Sequence, residues 1–147
     1  MDFTDQEAIA ALMNANAGGY AKAMDYRFVK ATPDEVVLEW TVGENHLQPF
    51  GIVHGGVHCG AIETVCSIGA ALAAAQRGYE GNVVGLENHT SFLRAVRTGT
   101  KLRARATPIT RGRTTQVWQA EVLDENSAQI ARGSVRLLCT PKIENKR

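Results

Sequence analysis

The stretch that decides the fold runs from His54 to Arg77, HGGVHCGAIETVCSIGAALAAAQR. Within it Val57, Ala61, Ile62, Val65, Ile68, Leu72 and Ala75 recur at three- and four-residue steps, the mark of a buried helical face. The spacing predicts a long central helix from about Gly55 to Arg77, ended by Gly78 and Gly81. Its many alanines allow close approach to a sheet. Upstream, a loop from Gly43 to Val53 carries Gln48-Pro49-Phe50-Gly51. Before that, residues 24–31 and 35–42 read as strands around the turn Thr32-Pro33-Asp34. Thr4-Asp5-Gln6-Glu7 opens an N-terminal helix over about 4–17, which Gly18-Gly19 stops. Downstream lie four strand-like runs, 82–94, 100–110, 114–124 and 129–140. Their separators, Arg97-Thr98-Gly99, Arg111-Gly112-Arg113 and Asp124-Glu125-Asn126-Ser127, read as hairpin turns. The order predicts an α+β fold in which an antiparallel sheet wraps one long helix.

A chain of 147 residues fits one domain, 1–147. With 44% hydrophobic and 21% charged residues it is ordinary for a soluble globular protein. A net charge of +1 gives no broad surface for nucleic acid or membrane, so an anionic ligand must be met by a few local arginines. The acidic N-terminus is not a secretory signal, and Ala61–Ala75 reads as too short and too weakly apolar for a membrane span. A cytoplasmic location is the expectation. Cys59, Cys66 and Cys139 form no CxxC pair and read as small packing residues.

The residues that carry chemistry cluster between Gln48 and Ser67. Gly55-Gly56 stands where the helix starts, where free N–H groups and the positive end of the helix dipole gather. Such a site suits a carbonyl oxygen that becomes negative in a transition state; alternatively the glycines only relieve crowding. Glu63 lies among apolar residues with Ser67 one turn on, so the helix carries either a solvated stripe or a carboxylate-and-hydroxyl patch in a pocket. His54 to Glu63 spans nine residues, roughly 13 Å along a helix. A two-fold dimer with antiparallel central helices would bring Gly55 of one subunit to Glu63 of the other, giving two composite sites. His54 and His58 have a metal-ligand spacing, but without H-E-x-x-H or a third ligand no metal is expected. His46 reads as loop surface. His89 either lines a cleft or bonds within the sheet. Arg94, Arg97, Arg111 and Arg113 are loop arginines that either grip phosphates or form solvated turns.

His54-Gly55-Gly56 followed after six residues by Glu63, Val83-Val84-Gly85-Leu86-Glu87, Phe92-Leu93-Arg94 and Arg111-Gly112-Arg113 together resemble the hotdog-fold thioesterases of the PaaI-like, 4-hydroxybenzoyl-CoA type. The resemblance covers roughly residues 35–140. Gln48-Pro49-Phe50-Gly51 and Gln116-Val117-Trp118-Gln119 are similar to the aromatic acyl-CoA members, those acting on 1,4-dihydroxy-2-naphthoyl-CoA among them. The resemblance implies a single hotdog domain that hydrolyses acyl-CoA without a cofactor. The Gly55 amide would polarise the thioester carbonyl, with Gln48 and His54 assisting around it. Glu63 would be nucleophile or general base, and Ser67 would place water or the carboxylate. Gly56, His89, Phe92, Arg94, Arg111, Gly112 and Arg113 are the positions implied for acyl and coenzyme A binding. The same resemblance implies a homodimer, usually paired into a homotetramer. In the naphthoyl-type members a strand histidine lines the acyl pocket. The matching position here is Phe92, with His89 three residues earlier and facing the other way. Two other readings of the same elements are a hotdog dehydratase or hydratase and a non-catalytic acyl-CoA-binding module.

Overall fold

The computed structural model describes residues 2–142; Met1 and 143–147, the outermost positions of the expected domain, lie outside the described residues. The chain forms α1 (Gln6–Ala15), α2 (Gly19–Ala23), β1 (Arg27–Ala31), β2 (Val36–Thr41), α3 (Gly55–Gln76), β3 (Asn82–Phe92), β4 (Lys101–Arg111), β5 (Thr115–Asp124) and β6 (Gln129–Thr140). Asp5 caps α1 by accepting from the Ala8 amide at 2.9 Å, which satisfies one of the helix's open donors. The expected helix over 4–17 is shorter at both ends, closing at Ala15 with Asn16 as its C-cap, and the chain restarts at Gly19, at φ +53°, as α2. The Asn14 side chain then pins α1 to β1, taking the Phe28 amide at 2.8 Å and giving to its carbonyl at 2.9 Å.

The six strands make one antiparallel sheet in the order β1-β2-β4-β5-β6-β3, wrapped over α3. This is the hotdog arrangement. Two of the three downstream separators are hairpins, joining β4 to β5 and β5 to β6. The third is not. Arg97-Thr98-Gly99 lies on a crossover from β3, at one edge of the sheet, to β4, which pairs with β2 in its middle. β3 finds its partner in the distant β6, with Asn82 opposite Thr140 and Phe92 opposite Ala131. That leaves an eleven-residue strand, largely exposed, with one backbone edge unpaired among the described residues.

α3 has the length and apolarity of a membrane-crossing helix, with a mean hydropathy of 1.5, contrary to the reading of Ala61–Ala75 alone. Its apolarity is accounted for by the core: Val57, Ala61, Ile62, Val65, Cys66, Ala70 and Ala73 are buried under the sheet. Contact with β5 is tight at Gly69, where a Cβ would collide with the Trp118 ring. Ala is the better helix former by about 1 kcal/mol, whereas overpacking a full core costs about 1–3 kcal/mol. Gly69→Ala is therefore expected to lower the urea midpoint of unfolding, although the same change on an exposed helix face would raise it.

Gln116 and Trp118, from the run similar to the aromatic acyl-CoA members, belong to this contact. Both are fully buried; the Trp118 indole donates to Gln116 Oε1 at 3.0 Å, and the Gln116 amide donates to the Ala70 carbonyl at 3.0 Å. His46 also departs from expectation. It is buried, not on the surface of its loop, because Nδ1 accepts from the Gly43 amide at 2.9 Å while Nε2 meets the Met24 carbonyl at 2.8 Å. Its own carbonyl then takes the His54 amide at 2.8 Å, which fixes the entry to α3.

Candidate active site

At the start of α3, His54 is the N-cap, and its Nδ1 accepts from the Gly56 amide at 2.8 Å. The Val57 amide returns to the His54 carbonyl at 2.9 Å. The Gly55 N–H has no partner among the described residues. Of the two glycines, Gly55 is thus the one with a donor to offer, and it sits at the positive end of a 22-residue helix. Gln48 turns its own loop: its Oε1 accepts from the Phe50 amide at 2.6 Å, and its carbonyl accepts from Gly51 at 2.9 Å. Phe50, at the tip, is 85% exposed.

Two turns along the helix, Glu63 is half-buried and held at both oxygens. Ser67 Oγ donates to Oε1 at 3.3 Å, and Asn88 Nδ2 donates to Oε2 at 3.0 Å. Asn88 also reaches the Cys59 carbonyl at 3.1 Å, tying β3 to α3. Gly85 completes the cradle, since a Cβ there would strike Glu63 Oε1. Glu63 is therefore an oriented carboxylate against the edge strand and not part of a solvated stripe. Asn88 and Gly85 were not foreseen. The available signal was parity, because Asn88 shares the face of Phe92; a bulge between Gly85 and Glu87 puts Gly85 on that same face.

Phe92 lies across the helix start, with its ring 2.9 Å from where a Gly55 Cβ would stand. His89 lies on the opposite face of β3, in an open groove with Ser91, Arg105, Gln119 and Arg132. The opposed facing of His89 and Phe92 is as expected from their spacing. His54 and His58 part company: His54 is exposed at the cap, while His58 is buried and its ring centroid is 6.4 Å from that of Phe92. Burial pushes the His58 imidazole down to about 4, so the ring is neutral at physiological pH. Burial, with Glu63 nearby, pushes the Cys66 thiol well above the usual range, which leaves it inert as a nucleophile.

The arginines divide. Arg111 is engaged with Asp34 at 2.6 Å and the Pro33 carbonyl at 3.1 Å, clamping the β1–β2 turn. Arg77 donates to the carbonyls of Arg111 and Gly112, which holds the β4–β5 hairpin on the end of α3. Arg94 and Arg113 are exposed. Among the described residues, no group of three or more His, Cys, Asp or Glu is placed to hold a metal ion.

The sheet thus wraps one helix that has a free amide at its start and an oriented carboxylate two turns on. The family model of the thioesterase superfamily matches residues 50–131, and the chain belongs to that superfamily. Its named relatives are thioesterases and esterases, and this chain is an enzyme of that class. It is 31% identical over 137 residues to the 1,4-dihydroxy-2-naphthoyl-CoA hydrolase of Escherichia coli, covering 93% of this chain and 90% of that one. Among solved structures, AziG of S. sahachiroi superposes with a TM-score of 0.79 at 39% identity, over 84% of this chain and 98% of its own. A thioesterase of Haemophilus influenzae gives a TM-score of 0.80 at 30% identity, over 97% and 94%.

Proposed function

We propose that the protein hydrolyses the thioester of an aromatic acyl-CoA, in composite sites shared by two protomers. The observation that carries this reading is the placement of Glu63. Its carboxylate is fixed by Ser67 and Asn88 beside a strand edge that has no partner among the described residues. The free Gly55 amide is eight residues away, roughly 12 Å along the helix. Along β3 the corresponding neighbours are Asn88, beside Glu63, and Phe92, beside Gly55, four residues or about 13 Å apart. The helix and the strand therefore run antiparallel at matched spacing. If two copies of β3 pair antiparallel about a two-fold axis through Thr90, Asn88 of one strand stands opposite Phe92 of the other. That pairing carries Gly55 of one protomer toward Glu63 of its partner. Exposed Leu86, Phe92 and Leu93 on and beside the same strand supply apolar surface for it.

In such a site the thioester carbonyl accepts from the Gly55 N–H, with the Phe92 ring moved aside. Glu63 of the other protomer takes a proton from water as the oxygen attacks, or attacks the carbonyl carbon itself; Ser67 orients the attacking group. When water attacks, the tetrahedral oxyanion collapses, the C–S bond breaks, and coenzyme A leaves as its thiol with the proton returned. When Glu63 attacks, collapse expels the thiolate and leaves a mixed anhydride, which water then cleaves, freeing the acid, restoring the Glu63 carboxylate and supplying the thiolate's proton. His54 and Gln48 flank the carbonyl and the departing sulfur. Exposed Arg94 and Arg113 are free to meet phosphate, whereas Arg111 is occupied by Asp34. The aromatic preference is supported by the relatives: the Escherichia coli hydrolase named above acts on a naphthoyl thioester.

Release of free thiol from a panel of aromatic and aliphatic acyl-CoAs tests this reading. Turnover is expected on the aromatic members at least, and silence across the panel would overturn it.

A further inference from the structure

Buried polar atoms in folded proteins nearly always have partners, and those that do not call for an explanation. Among the described residues only Trp40 Nε1 and His58 Nδ1 are buried without one. The Trp40 ring packs against Tyr26 at 5.2 Å between centroids, under the β1–β2 side of the sheet. His58 is placed differently. It is 3% exposed and stands one helical turn from Gly55, whose amide is the free donor of the site. Its neighbour Phe92 covers both residues: the rings of His58 and Phe92 lie 6.4 Å apart at 38°, and the same Phe92 ring rests on Gly55. Phe92 is itself 56% exposed in the single chain, at the end of β3 on the seam proposed above, so its ring is not locked into the core. A substrate that displaces Phe92 to reach the Gly55 amide then meets His58.

We propose that His58 is a specificity-determining residue, the polar floor of the acyl pocket beneath Phe92, which hydrogen-bonds a hydroxyl group on the aromatic acyl ring. This rests on the aromatic acyl-CoA reading above. An orphaned buried nitrogen is destabilising, a cost that a leucine or phenylalanine at this position would avoid. The ring is neutral, so it is not suited to an anionic substituent. A hydroxyl both donates and accepts, and so satisfies Nδ1 in either tautomer. A bare aromatic or aliphatic acyl group leaves the nitrogen unpaired, and sites with an unpaired polar group discriminate strongly against the substrate that fails to pair it.

The test compares benzoyl-CoA with its 2-, 3- and 4-hydroxy derivatives on the wild type, His58→Leu and His58→Asn. At least one hydroxylated isomer is expected to exceed benzoyl-CoA in kcat/KM by about tenfold or more in the wild type, the worth of one well-made hydrogen bond. His58→Leu is expected to bring that ratio near one with thermal stability unchanged or raised, and His58→Asn to retain part of it. A second arm needs no turnover: the ¹⁵N-labelled imidazole resonances of His58 are followed while the free acids are titrated in. The preferred hydroxylated acid should shift them and benzoic acid should not. A ratio untouched by His58→Leu, or ring signals that respond equally to both acids, overturns the inference. So does a His58→Leu variant that weakens self-association with the ratio unchanged, since the partner subunit would then be what pairs Nδ1. Absence of thiol release from every acyl-CoA would count against the thioesterase reading alone, and the ring signals would still decide the role of His58.

Discussion

Replacing Glu63 by Gln is expected to lower kcat on a responsive acyl-CoA by at least about a hundredfold, the usual contribution of a positioned acid–base or nucleophilic group. The substitution preserves shape and removes charge and basicity. An amide oxygen still accepts from Ser67 or Asn88, so the half-buried site keeps its packing and the melting temperature should move little. KM should also change little, because the carboxylate acts on the attacking group and not on the coenzyme A. Rate loss with intact fold and intact binding separates a chemical role from a structural one. A variant that turns over at the wild-type rate would sink this mechanism.

The second large effect concerns the sharing of sites. A Glu63→Ala protein and a Gln48→Ala/His54→Ala protein should each be nearly inactive alone. Dissociated, mixed in equal amounts and reassociated, they should recover about a quarter of the wild-type activity. Random pairing makes half of the dimers mixed, and each mixed dimer holds one site with both halves intact. No recovery on mixing, with mixed dimers demonstrated by mass, would overturn the sharing of sites between protomers. The geometry argues for recovery, because a roughly 12 Å separation on one helix cannot be closed by side-chain motion.

Much of this was legible in the chain before folding. The apolar recurrence from Val57 to Ala75 specifies α3 almost to the residue, since burial against a sheet demands the 3.6-residue period. The start of that helix at Gly55 and the presence of a carboxylate at Glu63, in phase with Ser67, followed from the same pattern. What surrounds Glu63 did not. Asn88 and Gly85 reach it from a strand 22 to 25 positions further on, and a bulge alters the alternation from which facing would be read. His46 resisted for a similar reason: its loop is polar in sequence, yet the ring is satisfied by two backbone groups, one of them in a different element.

The run from His54 to Arg77 thus determined by itself that a long buried helix begins at a pair of glycines and carries one acid. Local periodicity and capping are short-range properties, and the sequence states them directly. Only the tertiary structure decided that β3 leaves β4 to pair with β6, that its other edge stands open beside Glu63, and that His58 lies unpartnered beneath Phe92. Those facts depend on which distant segments meet, and that choice is made by the packing of the whole sheet over the helix, not by any one segment's propensity.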